Sequence, residues 1–166
     1  MIGLGPHNFS IAIYIANRPE LDDYPSLNRL RSMVPGEIAY IAQETGNHWR
    51  KVFNVSAKFL FQLYSEEKKP NLPATWQRLR DSDLFQSHGD AALLFSKPDL
   101  SKQEIIHIVC GKTYANQLGL GSLHWVDNYF AIDPENKLIV CPYLDYRQLS
   151  NARITQLSGL VSSLRS

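Results

Sequence analysis

With 166 residues, 44% of them hydrophobic and 11% aromatic, the chain has enough apolar surface for a sizeable core, which excludes a disordered polymer and fits one domain over 1–166. Lys and Arg number 17 against 16 Asp and Glu, a net charge of +1, so no global field draws the chain to nucleic acid or anionic lipid. No apolar run approaches the ~20 residues that span a bilayer, and no basic leader opens the chain, so no membrane association and a cytoplasmic location are expected.

The opening GLGPHN, Gly3 to Asn8, resembles the Gly-x-Gly-Pro-x-Asn start of flavin-dependent amino-acid N-hydroxylases. A dinucleotide loop must follow a strand and open a helix, so that pyrophosphate meets the helix N-terminus. Only Met1 and Ile2 precede this one, and a strand pattern follows it. The segment is therefore read as a flexible lead-in, and no cofactor is expected.

Phe9 to Ala16, FSIAIYIA, alternates with period two and is rich in β-branched residues, which predicts a strand. Pro25-Ser26-Leu27 is expected to open a short helix running to Met33, with Leu27, Leu30 and Val34 on its apolar side. EIAYIAQ, Glu37 to Gln43, suits either a strand or a helix. Asn47 is the expected N-cap of a long helix to about Glu67, with Trp49, Val52, Phe53, Leu60, Leu63 and Tyr64 on one buried face. Charges and two prolines in Glu66 to Thr75 form a loop, and Thr75 to Asp81 predicts a shorter helix.

The second half is strand-rich. Ala92 to Ser96 and Ile105 to Gly111 read as buried strands, and Thr113 to Leu118 as a short helix ended by Gly119. HWVDNYFAI and KLIVCPYL flank a turn at Asp133 to Asn136. The last segment is helical through Leu149, Leu157, Leu160, Val161 and Leu164, with Asp145 and Gln148 as a capping box and Ser150 as the rival cap. Strands and helices in this mixture predict an α/β fold, a layered αβα sandwich around a mostly parallel or mixed sheet.

The candidate chemistry is sparse. CGKTY, Cys110 to Tyr114, has the tail of a phosphate loop, but the glycine such a loop needs is replaced by Ile106. What remains is Gly111, Lys112 and Thr113 at a strand-to-helix junction, either an anion contact or a simple cap by Thr113. His107 and Cys110 point to opposite faces of one strand and cannot share an ion. His124 and Cys141 are too few as ligands even if they meet across a hairpin, so no metal is expected. Cys141 with His124 and Asp127 forms no marked triad, because Pro142 supplies no backbone N–H to an oxyanion. Both cysteines read as buried thiols.

IIHIVCGKTYANQLG, followed by KLIVCPYLDYRQLSN, resembles the last part of the uracil-DNA glycosylase superfamily, in which a strand, a short helix and a further strand end in a His-Pro-Ser-Pro motif. YPSLNRLRSM is similar to that family's Pro-Ser-Leu helix, and Gly3 and Pro6 fall on the glycine and proline of its first motif. Of the His-Pro-Ser-Pro residues only Pro142 agrees: Cys141 stands for the histidine, and Tyr143 and Leu144 for the next pair. Gly5 stands where the family positions its water with an aspartate, and Ser96 where it reads the base with an asparagine. The resemblance implies the fold, without glycosylase activity.

In open α/β sheets ligands bind beyond the carboxyl ends of parallel strands. If the strands ending at Gly111 and Cys141 are parallel neighbours, Lys112, Thr113, Tyr143, Asp145 and Arg147 share one rim, suited to a flat or anionic ligand. Three functional classes follow. The foremost is a non-catalytic domain that binds a partner or a small molecule such as a nucleotide. The alternative is a divergent enzyme acting on a nucleotide or nucleobase, with a glycosylase-like fold but an altered active site. The third is an oligomer-forming structural protein.

Overall fold

A computed structural model of the chain describes residues 1–165. All eight strands join one sheet in the order β3-β1-β4-β2-β5-β8-β7-β6. They are β1 (Gly3–Leu4), β2 (Ile11–Tyr14), β3 (Leu30–Arg31), β4 (Ala91–Leu94), β5 (Ile106–Cys110), β6 (His124–Trp125), β7 (Ala131–Asp133) and β8 (Leu138–Cys141). The central four, β4, β2, β5 and β8, run parallel, whereas β1 is antiparallel to β4 and β7 to β8. The helices are α1 (Glu37–Thr45), α2 (Asn47–Glu66), α3 (Trp76–Ser82), α4 (Lys112–Leu118) and α5 (Asn151–Arg165).

The register explains why the central strands are apolar on both sides. Leu93, Ile13, Ile108 and Ile139 line up across the sheet, on the face covered by α1, α2, α3 and α5. The next row, Leu94, Tyr14, Val109 and Val140, faces α4, the loop around Leu120 and Trp125 of β6. A sheet covered on both faces needs continuous hydrophobic strands. The result is the layered α/β architecture expected, with one helical layer much thicker than the other.

On α2, Trp49, Val52, Phe53, Leu60, Leu63 and Tyr64 are all buried, as their spacing predicts. The helix starts at Asn47, but its cap is Gly46, whose φ of 95° lets the chain turn out of α1 and straight into α2. The Asn47 side chain instead accepts a hydrogen bond from Arg50. EIAYIAQ resolves as helix α1. Thr75 caps α3 by accepting from the Arg78 N–H, and Gly119, in the left-handed region, ends α4.

Three expectations fail for tertiary reasons. The helix expected from Pro25 to Met33 is a 3-10 turn at Tyr24–Ser26 followed by β3, and Val34 is exposed. The backbone of this segment is taken up by β1, with Gly3 and Gly5 N–H donating to the Arg29 and Arg31 carbonyls. The supposed lead-in is thus an inner strand between β3 and β4. A Cβ on Gly3 would lie 2.2 Å from the Leu93 carbonyl oxygen, and one on Gly5 2.6 Å from the Ala92 Cβ, so these glycines serve close packing. At the carboxyl end, Asp145 takes no part in capping α5. Its carboxylate accepts from the Arg147 N–H within a turn, and the first helical bond runs from Ile154 to the Ser150 carbonyl.

Candidate functional site

The chain leaves β2 toward β4 on one side and leaves β5 toward β8 on the other. The carboxyl ends of β2 and β5 therefore flank the switch point of the parallel sheet, where open α/β sheets hold their ligands. On the β2 side of this point opens a crevice of about 800 Å³, lined by residues that follow β2, among them Asn17 and Arg18, and by Glu44, Thr45, His48 and Trp49 at the α1–α2 junction.

Three elements converge on one phenol at its edge. Tyr143, which follows β8, lies with its hydroxyl 2.6 Å from His48 Nε2, on the first turn of α2. The Asn17 amide, beyond β2, donates to the same oxygen at 3.2 Å. The phenolic proton is directed at the imidazole in the tautomer that leaves Nε2 bare; in the other tautomer Nε2–H donates to the second lone pair of the phenol. The two rings lie 5.7 Å apart, centre to centre. Burial, only partly offset by the Asn17 hydrogen bond, pushes the Tyr143 phenol up to about 12, so it acts as a neutral donor at physiological pH. Lys51 extends the cluster one turn along α2, with its ammonium 3.8 Å from Asp145 and 5.1 Å from the Tyr146 ring centre.

Arg18 is committed elsewhere. Its guanidinium donates to the carbonyls of Tyr24, Pro25 and Leu27 and sits over the Phe95 ring, pinning the loop that forms one wall. The rest of the polar lining is mixed: the Asn17 amide and His48 imidazole, each already holding Tyr143, and the carboxylates of Glu20 and Glu44.

The strands ending at Cys110 and Cys141 are parallel neighbours, and Lys112 and Asp145 lie at the same end of the sheet. The five rim residues nevertheless divide. Tyr143 packs against the core under α2 and α5. The short helix α4 packs on the opposite face, where Lys112 Nζ sits 4.6 Å from the centre of the Trp125 ring, and Thr113 is exposed without capping α4. Arg147 reaches back over Tyr146. Only Tyr143 and Asp145 join the crevice cluster. Asn17 carried one signal in the sequence, a polar residue directly beyond a buried strand; nothing local marked His48 or Lys51.

The other candidate pairs resolve as packing. His107 is buried, accepting from the Tyr14 hydroxyl at 2.6 Å through Nδ1 and donating through Nε2 to the Lys102 carbonyl. His124 lies on β6, separated from Cys141 by β7, so the two do not meet. Cys110 and Cys141 are buried free thiols with their sulfurs 3.7 Å apart. Among the described residues no cluster of three or more His, Cys, Asp or Glu is arranged to hold a metal, and no helix is long and apolar enough to cross a membrane.

A family model described as a family of unknown function, DUF6942, matches residues 2–162. No curated protein and no solved structure matches the chain.

Proposed function

We propose that this chain, which belongs to the DUF6942 family, binds a nucleobase or nucleoside in the crevice beyond β2. The observation that carries the reading is the junction of Asn17, His48 and Tyr143, three residues from separate elements joined by hydrogen bonds at the switch point. Such a junction fixes side chains that would otherwise be free, and so lowers the entropy lost on binding. Amide, imidazole and carboxylate groups match the mixed donors and acceptors of a base edge, and the exposed His48 ring offers a flat face. Glu20 and Glu44 disfavour a phosphate, since the one arginine of the lining is already bound to three carbonyls. A free base or nucleoside therefore fits better than a nucleotide.

The reading accords with the resemblance of β5, α4 and β8 to the end of the uracil-DNA glycosylase superfamily, a kinship that we likewise propose. The 2.6 Å contact between Tyr143 and His48 favours a second reading, an enzyme on the same ligand class, with the pair passing a proton.

Calorimetric titration of bases, nucleosides and 5′-monophosphates tests the proposal. Binding of bases or nucleosides, weakened about fivefold in Tyr143→Phe and Asn17→Ala, is expected from the loss of ~1 kcal/mol per hydrogen bond. Absence of binding, or equal binding by the variants, would overturn it. Chromatography of each bound ligand after incubation separates the enzyme from the binding protein.

A further inference from the structure

A second cavity lies at the opposite end of the molecule. It holds about 260 Å³ beneath the loop from Lys69 to Pro73, beside the amino end of β4. Tyr64, which lines it, is on the last turns of α2, about 24 Å from His48 by the 1.5 Å rise per residue. The two sites are thus independent.

Leu60, Leu79, Leu84 and Phe85 give the cavity an apolar body. Tyr64 is 5% exposed, and its hydroxyl has no hydrogen-bond partner among the described residues. A buried hydroxyl left unpaired is costly, and native proteins seldom tolerate one without a ligand or water to complete it. Lys69 lies over the Tyr64 ring, 3.9 Å from its centre, and closes one side. Phe85 is held at a φ of 56°, an uncommon conformation for a bulky residue, and turns its buried ring into the core beside the cavity.

The charged lining decides the ligand's polarity. Asp83 engages His88 and Ser82 through Oδ1, and Asp90 engages Ser10 through Oδ1, so each carboxylate keeps its other oxygen free of these bonds. Burial above all, and then the charge of Asp90, push the Tyr64 phenol upward, while the charge of Arg165 pulls the other way. The Lys69 ammonium keeps its charge over the Tyr64 ring, but the two carboxylates of the lining outnumber it, so a donor is favoured over an anion. The volume falls below the ~300 Å³ at which drug-sized sites begin, so the ligand is compact.

We propose that this cavity is a binding site for a small arylalkylamine: the ring lies among Leu60, Leu79 and Leu84, and the ammonium donates to the Tyr64 hydroxyl and to the carboxylates of Asp83 and Asp90. It is a site distinct from the crevice at the carboxyl edge.

Benzylamine, toluene and benzoate are the probes, titrated into the whole chain and followed by amide NMR shifts. Benzylamine is expected to shift Leu72, Leu84 and Gly89 and to bind at least tenfold more tightly than toluene, with benzoate weakest. Tyr64→Phe keeps the ring and removes the hydroxyl, and should lower benzylamine affinity several-fold while leaving toluene unchanged. Asp90→Asn should weaken benzylamine alone, and decides the matter if Tyr64→Phe does not fold. Benzoate binding as well as benzylamine, no shifts at millimolar benzylamine, or unaltered affinity in both variants would each overturn the proposal and leave a trapped water as the partner of Tyr64.

Discussion

The Tyr143 hydroxyl and the His48 imidazole meet at 2.6 Å although 95 residues separate them in the chain. His48 is exposed and Tyr143 only half-buried, so the contact contributes little to stability. Tyr143→Phe should lower the unfolding free energy by no more than about 1 kcal/mol, read as a small change in melting temperature. A large loss would mark the contact as architectural and weaken the case for a binding site.

Alkaline titration offers a further check. Burial raises the phenols of Tyr14, Tyr24 and Tyr64, and that of Tyr143 to about 12, against an ordinary value of 10.0. A phenol raised in the folded state binds its proton more tightly there than in the unfolded chain. Its stabilisation is complete below pH 10 and is lost as pH rises through the folded value. Stability should decline from about pH 10 upward, and ultraviolet difference spectra should show these four tyrosines still protonated at pH 10. Full ionisation of all tyrosines near pH 10 without unfolding would contradict the burial.

The amino-terminal strand should be intolerant of any side chain at its glycines. Gly3→Ala places a methyl against the Leu93 carbonyl, and Gly5→Ala adds a φ of 153° to a clash with Ala92. Each is expected to cost at least 1–3 kcal/mol, the range for overpacking. Thermal melts of either variant that match the parent would show β1 to be dispensable.

Leu60→Ala removes a side chain that is 2% exposed and lies between α2 and the sheet. A loss of ~2–5 kcal/mol in denaturant unfolding is expected, the range for a large-to-small change in a core.

The paired thiols should be inert. Cys141 beside it and burial push the Cys110 thiol well above its ordinary range, and neither sulfur reaches solvent. Ellman's reagent should find no thiol in the native protein and two after denaturation. Rapid native reaction of either would place that cysteine at the surface.

Much of the fold was legible along the chain because its cause is local. The 3.6 spacing of Trp49, Phe53, Leu60 and Leu63 specifies the buried face of α2, and Gly119 specifies where α4 stops. The apolar runs of β4, β5 and β8 mark strands buried on both faces. Where local preference competed with pairing, it lost. Leu30 and Arg31 became a strand because β1 needed a hydrogen-bonded neighbour, and Gly3 and Gly5 became an inner strand because β4 offered one.

The site was legible only in part, for a related reason. Tyr143 and Asp145 stood out as polar and aromatic residues beyond a buried strand, and the rule that ligands gather at the carboxyl edge needed only the strands. Strand order and the side of the sheet on which each connection packs are not local properties. They depend on which long-range burial is most favourable, and so the tertiary structure alone put Lys112 against Trp125 on one face and brought His48 and Asn17 to Tyr143 on the other. The sequence by itself determined the layers and their apolar faces; which distant residues share an edge was decided by packing.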